Sequence, residues 1–419
     1  MPQRVLDDLW HSHWGLLLGH LMARFNRADL VEDALAEAFA QAASQWPAAG
    51  VPHNPPGWLR TTAHRRVLDA LRHERTIRSK AHLIADDDVQ PGPEDAAAPG
   101  GVTSSATVAS AVDERLPLLF MATHPALAEE VRPALALRFV LGVPTAEIAR
   151  LFLVPSATMA ARLTRAKKRL AGSGIAFAIP DRNVWPDRLD DVARAIYLAF
   201  TAGYAPGGGH DVVRAQQAGE VVRLADLATD LLPGRPVLEA LVALVRLQHA
   251  RRDARVSPEG ALVRLADQDR SRWHGAEIAA GLDRLTALSP TDGLAEELRL
   301  QALIAAFHAT ATRAADTDWA GIVRAYTRLE ALTGSPIVRL NRAVAVGEAS
   351  GAMAGLAILR AAADELPGHH RVALVRAELL HRGGQAEAAR QAYLEAIEAC
   401  PDGAERDHIR ARLVLVSRA

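Results

Sequence analysis

Cysteine is almost absent from this 419-residue chain: Cys400 stands alone, which excludes an internal disulfide and fits a reducing compartment. Aromatic residues make up only 5% and β-branched alternation is scarce, so an all-α fold rich in alanine is expected. Net charge is lacking as well. Lys and Arg number 48 against 49 Asp and Glu, and a balance of −1 excludes a histone-like protein held to nucleic acid by bulk electrostatics. Any such contact must come from local patches or be shared with a larger assembly. No apolar run is long enough to span a bilayer and no secretory leader is visible, so a cytoplasmic location without membrane association is expected. No Gly-rich phosphate loop follows a strand. The sixteen histidines, with His11/His13 and His369/His370 among them, show no recognisable metal-ligand spacing. Neither cofactor, metal nor catalysis is expected.

What is present begins with Thr145–Leu170, which has the grammar of a helix-turn-helix. A short helix, with Ala146, Ile148, Ala149 and Phe152 inward, meets a turn at Leu153–Pro155. A second helix follows, Pro155 near its start, where a missing N–H costs little. Its inner stripe is Met159, Leu163, Ala166 and Leu170. Thr158, Arg162, Arg165, Lys167, Lys168 and Arg169 are left outward with no acid among them, which suits a DNA groove. An ordinary amphipathic helix pair with a solvated basic face fits the same residues.

Nearer the N-terminus, Val31, Ala34, Leu35, Ala38, Phe39 and Ala42 make one helical stripe. Asp29, Glu32, Asp33 and Glu37 gather on another face, either a solvated surface or a docking face for a basic partner. The loop Pro52–Gly57 leads into a helix with Ala63, Val67, Ala70 and Leu71 inside. From Arg60 to Lys80, seven Lys/Arg stand against Asp69 and Glu74, a net of +5. Backbone phosphates are the natural partner of such a cluster. Trp46 and Trp58 are expected in the core rather than as base-stacking platforms.

Four blocks follow: helices over 8–80, a linker over 81–112, the helix-turn-helix block over 113–172, and a helical half over 181–419. The linker stretch Asp86–Ser105 is rich in Pro, Gly and Ser with five acids, too polar to fold alone. Gly207–Gly209 reads as an inter-helix loop, and Arg270, Arg272 and Trp273 as a binding surface or an ion-paired structural cluster. In the last block an offset of 34 residues pairs Pro367 with Pro401, Ala343 with Ala377, Val346 with Leu380, Gly355 with Ala389, Leu359 with Tyr393 and Ala362 with Ala396. Small residues match small and large match large, the period and pattern of tetratricopeptide (TPR) repeats.

The runs Asp29–Phe39, Trp58–Arg72 and Thr145–Leu170 together resemble regions 2 and 4 of extracytoplasmic-function (ECF) sigma factors. The C-terminal half, with Ile196–Phe200, Asp267–Trp273, Asp316–Trp319 and Leu340–Ala345, resembles the subgroup that carries a TPR-like extension. The resemblance covers nearly the whole chain. It implies that Asp29, Glu32, Asp33 and Glu37 dock the β′ coiled coil of core RNA polymerase, and that the β flap is a second contact. It implies that Arg60, Thr61, His64, Arg65, Arg66, Arg72 and Arg75 bind and open the −10 element of promoter DNA. Ser156, Thr158, Arg162, Arg165, Lys167 and Lys168 would read the −35 element, and the linker acids would imitate nucleic-acid charge near the RNA exit path. Leu153, where many such turns place Gly, and Ala160, at a frequently basic position, depart from the pattern.

The expected function is therefore an alternative sigma factor whose repeats contact its own sigma domains or a protein partner and modulate activity. The alternatives are a polymerase-independent helix-turn-helix activator with a partner-sensing repeat domain, and a repeat scaffold with incidental basic helices.

Overall fold

A computed structural model describes residues 2–25, 27–85, 115–172, 180–204, 215–401 and 403–416. The segment over 86–114, which holds most of the acidic linker, and Gly207–Gly209 lie outside them. The fold is all-α, and no strand forms among the described residues.

Three long helices open the chain: α1 (Pro2–Phe25), α2 (Ala28–Ala49) and α3 (Pro55–Ala85). The expected stripe of α2 is buried from Val31 to Ala42, against Trp14, Leu18 and Leu21 of α1 and Leu59, Ala63 and Val67 of α3. Trp46 is buried and Trp58 half-buried, their rings edge to face at 5.6 Å. Arg27 donates to both carboxylate oxygens of Glu74, at 3.1 and 2.8 Å, and so ties the start of α2 to α3.

The next block comprises α4 (Arg115–Ala122), α5 (Arg132–Phe139), α6 (Thr145–Leu151) and α7 (Ser156–Gly172). Helices α6 and α7 form the helix-turn-helix, with Ile148, Ala149, Met159, Leu163 and Ala166 buried. Ala146, expected inward, is exposed, and Glu147 is buried in its stead. Two residues are about 200° of helix, so Ala146 lies across the axis from Ile148. Phe152 is half-buried rather than fully inward. The turn is a Schellman motif: the Leu153 N–H donates to Arg150 O at 3.1 Å and the Val154 N–H to Ala149 O at 2.9 Å. Leu153 takes the left-handed position, φ 53°, the sole non-glycine to do so among the described residues.

Helices α8 (Leu189–Tyr204), α9 (Ala215–Leu231), α10 (Pro236–His249), α11 (Gly275–Thr286) and α12 (Gly293–Thr310) follow. Val237, Leu238, Ala240, Leu241, Val242, Ala243, Leu244 and Val245 of α10 are all buried, as befits a helix apolar on every side. One continuous core runs from Leu6 to Ala306 and joins α1–α3, the helix-turn-helix block and α8–α12.

Six helices then stack in sequence: α13 (Trp319–Thr333), α14 (Pro336–Ser350), α15 (Ala352–Glu365), α16 (His370–Arg382), α17 (Ala386–Ala399) and α18 (Ala404–Val416). The even-numbered ones begin at 336, 370 and 404, the 34-residue offset read from the sequence. Ala343, Ala377, Ala362 and Ala396 are fully buried where helices close on one another. A Cβ on Gly355 would stand 2.7 Å from Ala343 O and 3.0 Å from Gly347 Cα, so only glycine permits that approach. The core here is divided among three small clusters, around Ile322, around Leu359 and around Tyr393. A cavity of about 760 Å³ is lined by Arg264, Arg270, Trp319, Tyr326, Glu378 and Arg382 among others.

Candidate polymerase and promoter interface

The acidic and basic faces lie on neighbouring helices, α2 and α3, which pack along their length. On α2, Asp33 and Glu37 are exposed and Glu32 is buried; the side chain of Asp29 lies outside the described residues. On α3, Arg60, Thr61, Arg65, Arg72 and Arg75 are exposed, while His64 and Arg66 are half-buried. The two sets meet at Arg66, which pairs with Glu37 at 2.5 Å and donates to Gln41 Oε1 at 3.0 Å. Asn54 Oδ1 accepts from the Gly57 N–H at 3.0 Å and fixes the loop into α3. Thr61 Oγ1 donates to Gly57 O at 2.9 Å, so its proton is spent on the backbone. Burial, then the charge of Arg24, holds His64 below the usual imidazole value, which makes it a neutral hydrogen-bonding group at neutral pH. Arg72 leans on Asp69 at 2.6 Å, an exposed pair of little energetic weight.

On α7, Ser156, Thr158, Arg165 and Lys168 are exposed and Arg162 is half-buried. Ala160 is exposed too, so the position that departs from the expected cation sits on the same open surface. Lys167 is turned differently. Its ammonium pairs with the buried carboxylate of Glu32 and lies 5.3 Å from the Phe139 ring centre. A residue expected to read DNA and one expected to meet polymerase thus hold each other. Sequence spacing carried no signal for this, because the two are 135 residues apart.

Helix α1 strengthens the same junction. Trp10 and Trp14 donate their indole N–H groups to Gly142 O at 2.8 Å and Phe139 O at 2.9 Å. A Cβ on Gly15 would stand 2.3 Å from Val140 O, so α1 lies directly on the backbone after α5. From the other side, Arg132 pairs with Asp191 at 2.9 Å, Arg188 donates to Phe120 O at 2.8 Å, and Phe120 stacks on Trp185 at 4.3 Å. Arg115 reaches Glu220 on α9 at 3.2 Å.

Arg270 donates to His308 O at 2.6 Å and Ala311 O at 2.8 Å, with its guanidinium 4.4 Å from the Trp273 ring centre. It therefore satisfies carbonyls at the end of α12, a structural task.

Residues 9–77 match the family model for sigma-70 region 2, and residues 118–170 that for sigma-70 region 4. The chain is an ECF-like sigma factor. Sigma factors of this kind bind RNA polymerase and promoter DNA. Residues 188–289 of this sigma factor match a family of unknown function (DUF6596), so an extension follows the two sigma regions. A protein of Rhizobium meliloti (strain 1021) named Uncharacterized protein R00370 is 37% identical over 403 residues, covering 94% of this chain and 92% of its own, and the two belong to one family. No solved structure matches the sigma factor. Among the described residues no helix is long and apolar enough to cross a membrane.

Proposed function

We propose that this sigma factor works in the cytoplasm as a non-enzymatic promoter-specificity subunit of the subgroup with a TPR-like extension. Asp29, Glu32, Asp33 and Glu37 dock the β′ coiled coil, the cations of α3 open the −10 element, and Ser156, Thr158, Arg162, Arg165, Lys167 and Lys168 face the −35 element. The extension modulates activity by holding regions 2 and 4 against each other. The observation that carries this reading is the pairing of Lys167 with Glu32, backed by Asp191 and Glu220 of the extension on Arg132 and Arg115. Those contacts occupy one polymerase-docking acid and one DNA-reading cation at once.

Two sets of variants test it with core polymerase and a promoter panel. Asp33→Lys with Glu37→Lys should abolish polymerase binding while the protein stays folded, because both acids are exposed. Co-purification at the wild-type level would overturn the docking assignment. Asp191→Ala with Glu220→Ala loosens the extension without touching either sigma surface, and should raise polymerase binding several-fold. Unchanged binding and transcription would overturn the modulatory role. Specific binding to promoter duplex without polymerase would favour an independent activator instead.

A further inference from the structure

The end of the stack brings together three side chains of metal-binding chemistry that belong to neither sigma surface. His370 opens α16, Cys400 closes α17, and Glu405 lies in the first turn of α18. One ligand atom from each, an imidazole nitrogen, the thiol sulfur and a carboxylate oxygen, lies within 4.8 Å of the others. Cys400 is buried and the other two are half-buried. His370 Nε2 is buried and 3.4 Å from Glu405 Oε2, too far for a well-formed hydrogen bond. Such a nitrogen carries a desolvation cost that a bound cation would remove.

We propose that His370, Cys400 and Glu405 form a zinc site. The donor set selects the metal: thiolate with imidazole suits zinc, whereas magnesium and calcium take oxygen alone. Around a tetrahedral zinc ion, sulfur at about 2.3 Å and nitrogen or oxygen at about 2.0–2.2 Å stand roughly 3.3–3.8 Å apart. The three atoms need to close by about 1 Å, within reach of side-chain rotation. Arg371, whose side chain is half exposed, donates to Glu405 Oε1 at 3.0 Å and to Oε2 at 3.5 Å. Its guanidinium yields one oxygen as the metal enters. Zinc replaces the thiol proton of Cys400, so each ion bound at neutral pH forms one Zn–S bond and releases one proton. Three protein ligands leave the fourth position to water.

The placement gives the site a purpose. In a linear stack the terminal repeat has a neighbour on one side alone. Helix α18 packs on α17 and reaches α16 through Arg412 on Glu378 at 2.8 Å, and a metal bridging the ends of α16, α17 and α18 would add a second tie at its start. Sequence spacing hides the site, since the ligands are 30 and 5 residues apart on three elements.

The test uses the full-length protein, freed of metal by a chelator and titrated with Co²⁺. Cys400 is the single cysteine of the chain, so any thiolate-to-cobalt charge-transfer absorption reports this sulfur alone. Wild-type protein should show that band, saturate at one ion per chain, lose the band on adding Zn²⁺, and gain thermal stability with zinc. Cys400→Ser should abolish the band. His370→Gln and Glu405→Gln, which alter half-buried side chains and keep the helices, should each weaken cobalt binding about tenfold or more. Absence of the band in wild type would overturn the proposal, as would a cobalt affinity in His370→Gln and Glu405→Gln equal to that of wild type.

Discussion

The two halves of the molecule are both helical but cohere by different rules. From Leu6 to Ala306 one core joins both sigma regions to α8–α12, whereas from α13 onward the core is divided into small clusters between adjacent helices. Helix α12 is the seam. Its Leu298, Ala302, Ala305 and Ala306 belong to the large core, and its Leu300 and Ile304 to the first cluster of the stack. The difference teaches that a continuous core makes distant segments fail together, while a stack can open from its end. The sigma regions therefore sit in the cooperative half, and the end that bears His370, Cys400 and Glu405 in the divisible half.

The strongest challenge to this contrast is Trp14→Ala. Trp14 is buried where α1 meets the backbone of α5, and its removal should cost about 3–5 kcal/mol. Hydrogen exchange should then speed up together in α1, α5 and α8–α10. Loss confined to α1–α3 would show that the shared core is not one cooperative unit.

Ile409→Ala is the counterpart in the stack. It should cost about 2–5 kcal/mol within the terminal cluster and leave exchange in α1–α12 unchanged. Faster exchange throughout the chain would erase the distinction between the halves.

A smaller effect sharpens the seam. Burial, then the charges of Arg251 and Arg270, lowers the pKa of His308 to about 4, beside Trp319 at 5.3 Å. The unfolded chain takes this proton near pH 6.5, so the contribution is complete above that value. It is lost as pH falls from 6.5 toward 4. His308→Gln should flatten the melting temperature over this window relative to wild type. Parallel pH profiles for the two proteins would exclude His308 as the sensitive group.

Much of this was legible in the sequence wherever a helix buries one stripe. The row from Val31 to Ala42 and the pairs Ala343/Ala377 and Ala362/Ala396 follow from period alone, because burial repeats with the helix. Ala146 shows the limit: in a helix of seven residues one step of misjudged phase exchanges inside for outside. Lys167 shows a deeper one. Its outward direction on α7 was readable, but which surface would stand there depends on how α2 docks, and no local pattern encodes that.

The smallest expected change concerns Leu153. A left-handed leucine costs about 1–2 kcal/mol, and glycine returns about 0.5–1 of this as unfolded-state entropy. Leu153→Gly should therefore raise stability by about 0–1.5 kcal/mol, read from denaturant midpoints. A clear loss would mean that the exposed Leu153 side chain packs on something in solution.

The shared core also orders events during synthesis. Both sigma regions leave the ribosome before α8–α10, yet their packing surfaces on α1, α4 and α5 are completed by those later helices. At about 5–20 residues per second, the stretch from Gly172 to His249 takes roughly 4–15 s to translate. Through that interval the nascent sigma regions carry bare apolar faces on α1, α4 and α5. A chaperone that shields α4 and α5, or a slow codon run placed before α8, would then decide whether those faces stay covered until α8–α10 arrive to complete the core.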